Sequence, residues 1–154
     1  MADTHYHVGN GKRVSNQGSL IDGGANGGMA GKDVKVIEET FQKVNLTGIA
    51  DNTIEDIPIG TVAGLITTTR GPIIGIFHQY AIVGKGKTIH SSNQLKSFGV
   101  QIDDTPRKLK GSQCIKHPDG YVIPLSIRNG LPYMDMKCPS EDEMNEYPHV
   151  IFTS

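Results

Sequence analysis

The sequence predicts a soluble, mainly β domain, and three observations carry that prediction. The chain of 154 residues is about one domain long, enough to bury one modest core. Its 19 glycines and 8 prolines punctuate short runs rich in β-branched residues. Long amphipathic helical periods are few, which favours many short strands joined by turns over a helical bundle.

Residues 1–18 are polar, carry glycines at 9, 11 and 18, and lack an apolar period with which to pack, so they are expected to form a flexible N-terminal arm. The ordered domain is expected to begin near Ser19. Ser19–Ile21, Val34–Ile37 and Val44–Ile49 read as short strands separated by Gly or Asn. Ile57–Val62 and Leu65–Thr69 read as adjacent strand pieces around Ala63–Gly64. Pro72–Gln79 is apolar enough for a buried strand, which centres the core there. Ser91–Gly99 is the best helix, because Ser91 and Gln94 have capping-box spacing and Gly99 can end the turn. Gln113–Ile115 and Tyr121–Ile127 read as a hairpin turning at Pro118–Gly120. Ser140 and Glu143 repeat the capping-box register, so a short acidic helix starts there and stops at Tyr147–Pro148.

Composition narrows the function classes. With 15 basic and 16 acidic residues there is no general field of either sign, which argues against broad binding to nucleic acid or membrane surfaces. The longest apolar-leaning stretch, Pro72–Val83, contains His78 and Gln79 and falls short of the roughly 20 residues that span a bilayer. Two cysteines, Cys114 and Cys138, cannot build a disulfide framework, and the N-terminus lacks the basic and apolar regions of a signal peptide. A reducing, cytoplasmic setting is expected.

One segment carries chemistry. Asp22 follows the hydrophobic pair Leu20-Ile21 and precedes Gly23-Gly24-Ala25, where the backbone can turn sharply and another chain can approach. This is the aspartic-protease arrangement. There, two aspartates share one proton because adjacent like charges raise one pKa; one acts as base toward water while the other donates to the peptide carbonyl. Asp51-Asn52-Thr53, Asp104-Thr105-Pro106 and Asp119-Gly120-Tyr121 each lack the following Gly-Ala or the preceding strand. A dyad therefore requires a symmetric homodimer in which Asp22 of each copy meets at the two-fold axis. The same residues can also be read as an ordinary turn at a strand end.

In order as well as kind, residues 19–136 resemble the protease region of copia-type retrotransposon polyproteins. In that family a hydrophobic run leads into Asp-Ser-Gly-Ala and then a Met-x-Gly element; here Ile21-Asp22-Gly23-Gly24-Ala25 is followed by Met29-Ala30-Gly31. A strand ending in Ala-Asp-Gly or similar and a Gly-containing β segment are matched by Gly48-Ile49-Ala50-Asp51-Asn52 and Ile57–Val62. The family's Ser-x-x-x-Leu helix is matched by Ser91 to Leu95, ending near Gly99. The Asp119-Gly120 hairpin and Gly130-Leu131-Pro132-Tyr133 resemble the stretch that leads toward the pre-integrase region.

The resemblance implies a retropepsin-like acid protease fold, a small closed β-barrel with one short helix, followed by a linker over residues 137–154. It implies a homodimeric aspartic endopeptidase that matures its own polyprotein, in the cytoplasm or within virus-like particles. Asp22 would be catalytic, Gly24, Ala25, Ala50 and Asp51 would bind substrate, and water would be the nucleophile, with no metal or organic cofactor implied. The partners implied are a second copy and extended peptide bound by strand-like contacts, without membrane or nucleic acid. A flap is expected as a hairpin over residues 50–62. Gly23 stands where the family usually has Ser or Thr, whose hydroxyl hydrogen-bonds across the dimer; its loss is worth about 1 kcal/mol per subunit. That departure keeps a second reading open, a catalytically inactive remnant or domesticated dimerisation module. A third is a fragment that needs downstream residues.

Other constellations are weaker. Gly27–Asp33 resembles a phosphate-cradling loop, but Asn26 replaces its first glycine and Asp33 stands where Ser or Thr should hold magnesium. Cys114 and His117 have the spacing of half a zinc site, with Cys138 and His149 as distant complements, yet a buried free cysteine is the blander expectation. His78 and His90 read as hydrogen-bonded structural histidines.

Overall fold

In the computed structural model of the chain, residues 4–7, 18–49 and 52–154 are described. Among them the chain is mainly β, a thirteen-stranded sheet curled into a half-barrel. In chain order the strands are β1 (Thr4–His7), β2 (Ser19–Asp22), β3 (Gly28–Ala30), β4 (Lys35–Ile49), β5 (Asn52–Thr68), β6 (Gly71–Ile82) and β7 (Ile89–Ser91). They continue as β8 (Gln101–Asp103), β9 (Cys114–Lys116), β10 (Val122–Arg128), β11 (Leu131–Met134), β12 (Met136–Lys137) and β13 (His149–Thr153). Helix α1 (Ser92–Ser97) follows β7, and α2 (Glu141–Glu146) precedes β13. The hydrogen-bonded path β1-β4-β5-β6-β3-β7-β2-β11-β10-β9-β8 has two open ends, with β12 attached to β5 and β13 to β6. Among the described residues the sheet is therefore open where a closed barrel was expected, and the two short α-helices lie where the residues around Ser91 and Ser140 placed them, one more than the family resemblance implies.

Strand β6 is the centre of the molecule, because its apolar residues are buried on both faces. Ile73 and Phe77 enter the main core, while Ile74 and Ile76 face a smaller cluster flanked by Met144 and Tyr147 of the C-terminal segment. Between Phe77 and Tyr80 the register slips: Val62 pairs with Phe77 and Gly60 with Tyr80, so β6 spends one extra residue. Gln79 absorbs it with a left-handed φ of +63°. Strict alternation would send Phe77 and Tyr80 to opposite faces; the bulge brings both into the main core, with ring centroids 5.3 Å apart.

Strands β4 and β5 pair along their lengths with several irregularities. The pieces expected as separate strands at Val34–Ile37 and Val44–Ile49 are thus one strand, and those around Ala63–Gly64 are another. Gly64 is not a break. It pairs with Gly75, and a side chain on it would collide with that of Met136. The expected hairpin over 50–62 is instead the second arm of this longer one; Ala50 and Asp51 lie outside the described residues.

The two ends of the chain differ from a loose arm and a linker. Thr4–His7 pairs in parallel with Val44–Thr47, while the rest of the expected arm up to residue 17 lies outside the described residues. Residues 137–154, read as a linker, build α2 and β13. β13 lies parallel to β6, and its Val150 and Phe152 are buried in the main core. Phe152 stacks on Phe77 at 5.2 Å and meets His117 at 4.8 Å. α2 carries a complete capping box between Ser140 and Glu143.

Candidate functional site

Asp22 is the last residue of β2, a strand whose Ser19, Leu20 and Ile21 are buried. Burying these residues fixes the strand and delivers the half-buried Asp22 to its end. The Gly24 amide donates to Asp22 Oδ1 at 2.8 Å, a side-chain turn that holds the carboxylate over the loop. The Ala25 amide donates to the Asp22 carbonyl at 3.4 Å.

The loop is tied to its neighbour from below. β7 runs parallel to β2 with Ser91 opposite Asp22, and Ser91 is also the N-cap of α1. Its hydroxyl donates to the Ala25 carbonyl at 2.8 Å and accepts from the Gln94 amide at 3.1 Å. Gly24 is exposed, whereas the Ala25 methyl is buried among Leu20, Met29 and Ile89. Of the expected substrate-binding residues, Gly24 thus lies on the open face and Ala25 anchors the loop from within; Ala50 and Asp51 lie outside the described residues.

Gln94 is a residue that the sequence pointed to for another reason. In a full capping box its side chain would return to the Ser91 amide. Instead its Oε1 accepts from the Gly28 amide at 2.8 Å, and its Nε2 donates to the carbonyls of His78 and Gln79 at 3.0 and 3.2 Å. Those carbonyls belong to the bulge in β6. One side chain therefore joins α1, the bulge and the segment leaving the Asp22 loop. Beside it opens a groove of about 340 Å³, lined by the amides of Asn26, Gln79, Asn93 and Gln94 together with Gly27, Phe98, Ser97 and Ser154. Its walls offer amides and no charged side chain.

Behind β2 lies a buried polar chain. Tyr80 Oη lies 2.6 Å from His90 Nδ1, His90 Nε2 lies 3.0 Å from Ser19 Oγ, and the Ser19 hydroxyl donates to the Met134 carbonyl at 3.2 Å. Burial pushes the His90 imidazole down to about 3, so the ring is neutral over the ordinary pH range. Asp33 clasps the other side of β7: it accepts from the amide and hydroxyl of Thr88, and burial raises its carboxyl above the usual value.

The remaining sequence candidates sit in ordinary structural roles. His78 Nδ1 lies 2.8 Å from Thr61 Oγ1, and His117 is bonded at both ring nitrogens, to the Asp119 amide and the Ile151 carbonyl. Cys114 is buried, Cys138 is exposed, and among the described residues no group of three or more His, Cys, Asp or Glu is placed to hold a metal. No described helix is long and apolar enough to cross a membrane. No protein-family model, curated protein or solved structure matches this chain.

Proposed function

We propose that the chain is one half of a homodimeric aspartic endopeptidase that processes a retrotransposon polyprotein. The observation that carries this reading is Asp22 itself, a carboxylate at the end of a buried strand, oriented by the Gly24 amide in an exposed Gly-Gly loop. Two further features support it. The outer half of the β4–β5 hairpin contributes Val44 and Leu46 to the cluster that holds Leu20 and Ala25, which brackets Asp22, so that hairpin suits a flap. The amide-lined groove beside the loop suits a segment of extended peptide.

In the dimer the two Asp22 carboxyls hold one proton between them. The ionised carboxylate takes a proton from water as the water oxygen bonds to the peptide carbonyl carbon, and the protonated carboxyl donates to the carbonyl oxygen. Collapse of the tetrahedral intermediate breaks the C–N bond, with a proton passing to the leaving amine. The test is cleavage of a mixed peptide library at acidic and near-neutral pH, with and without pepstatin. Asp22→Asn is expected to lower cleavage at least about a hundredfold, the scale of positioned acid–base catalysis. A wild-type protein as inert as Asp22→Asn, with both folded and dimeric, supports the inactive dimerisation module that Gly23 keeps in view.

A further inference from the structure

Three carboxamide side chains from distant parts of the chain converge on the groove beside the Asp22 loop. Asn26 comes from the segment leaving that loop, Gln79 from the bulge in β6, and Asn93 from the first turn of α1. All three are exposed. A fourth, Gln94, is committed to holding them in place: its bonds to the Gly28 amide and to the His78 and Gln79 carbonyls tie the three elements together. The Thr153 hydroxyl donates to the same His78 carbonyl. Gln79 is thereby held with a left-handed φ of +63°, a conformation that a non-glycine residue keeps only where its surroundings impose it. The Asn93 side chain has no hydrogen-bond partner among the described residues, and its exposure leaves donor and acceptor both open to a ligand.

The chemistry of these walls selects among ligands. At about 340 Å³ the groove is at the small end of the range for ligand sites, about 300–1,000 Å³. A carboxamide offers an N–H donor and a C=O acceptor, so it pairs reciprocally with another carboxamide. Among the described residues no Asp, Glu, Lys or Arg lines the groove, so a charged side chain entering it would shed water without gaining a counter-charge. An aliphatic side chain would displace water from the amides and return no hydrogen bond. We propose that the groove is a specificity site that takes an asparagine or glutamine side chain of an extended peptide. That the peptide continues past Asp22 rests on the protease reading above; the preference for a carboxamide rests on the walls alone.

The test is an NMR titration of the isotope-labelled full chain, carrying Asp22→Asn so that nothing is cut, with alanine pentapeptides whose central residue is glutamine, glutamate, lysine or leucine. The glutamine peptide should shift the side-chain amide signals of Asn26, Gln79 and Asn93. Two reciprocal hydrogen bonds at about fivefold each should make it bind about 25-fold tighter than the leucine peptide. The glutamate and lysine peptides should bind no tighter than the leucine one. Asn93→Ala should erase the preference for glutamine. Asn93→Asp, which keeps the shape and replaces the donor by a second acceptor, should move the preference to lysine. Equal affinity for the glutamine, leucine and lysine peptides, or shifts that avoid the groove, would overturn the inference. So would a neutral sugar such as maltotriose that moves the same signals as strongly as the glutamine peptide. With Asp22 restored, selective binding without any cleavage would sink the protease reading and leave the groove standing. Cleavage with neither asparagine nor glutamine enriched at a fixed distance from the cut would do the reverse.

Discussion

Acid should loosen this fold earlier than its carboxylates alone would, because of His90. The imidazole is wholly enclosed by Tyr80, Ser19 and Phe77, with hydrogen bonds to the first two and a ring contact of 4.8 Å to the third. None of these carries a charge that would welcome an imidazolium. In the unfolded chain the ring protonates near 6.5; in the folded chain burial lowers this to about 3. Because the folded value is depressed, the neutral ring's contribution is fully present above 6.5 and is lost progressively as pH falls toward 3. At about 1.4 kcal/mol per pH unit, the loss has a ceiling of about 5 kcal/mol and reaches about 3 kcal/mol by pH 4.5. Against a typical total of about 5–15 kcal/mol, that is a large share. Asp33, whose carboxyl burial raises, acts in the opposite sense and gains stability as pH falls through its own range. Asp103, held down to about 2 by hydrogen bonds from Ser112 and Thr105, loses its contribution only in stronger acid. The His90 share of the change between pH 6.5 and 4.5 is isolated by a variant that cannot titrate. Urea unfolding at half-unit steps of pH should show stability falling more steeply there in the wild type than in His90→Gln. Equal slopes in the two proteins, or a ring found protonated by NMR in the folded chain at pH 5, would refute the reasoning.

Two further substitutions probe the parts that hold the site. Phe152→Ala empties a ring position between Phe77 and His117 and should cost about 3–5 kcal/mol, lowering the thermal midpoint by about 10 °C; a drop of only a degree or two would show that β13 is not part of the cooperative core. Gln94→Ala strips the Gly28 amide of its partner and leaves the bulge carbonyls of His78 and Gln79 short of a donor. A loss of about 1–3 kcal/mol is expected, with hydrogen exchange accelerated at the Gly28 amide; unchanged exchange there would argue against Gln94 as the tie.

What the sequence made legible was local. Asp22 and its glycines are contiguous, and the strand before them is apolar, so their junction shows in one dimension. The same holds for the Ser91 cap, the Ser140–Glu143 box and the hairpin through Asp119-Gly120. The long hairpin was obscured because Glu38, Glu39 and Gln42 interrupt its apolar pattern, and those residues are exposed on a strand kept extended by its neighbour. Gly64 looked like punctuation because a glycine required by close approach and one required by a turn are the same letter. The bulge at Gln79 had no signal beyond a polar residue in an apolar run. β13 did have one: Val150-Ile151-Phe152 is a run of β-branched and aromatic residues, hidden by its shortness and by the acidic helix before it.

The parallel seating of β13 beside β6 also sets a limit on how the chain can be made and cut. The hydroxyl of Thr153 donates to the carbonyl of His78 across a separation of 75 residues. During synthesis the β6 strand and the half-ring of aromatics around Phe77 must wait, with one side uncovered, until residues 149–153 emerge. Contacts so distant along the chain are slow to close. Loss of residues 149–153 would leave that side of the core uncovered.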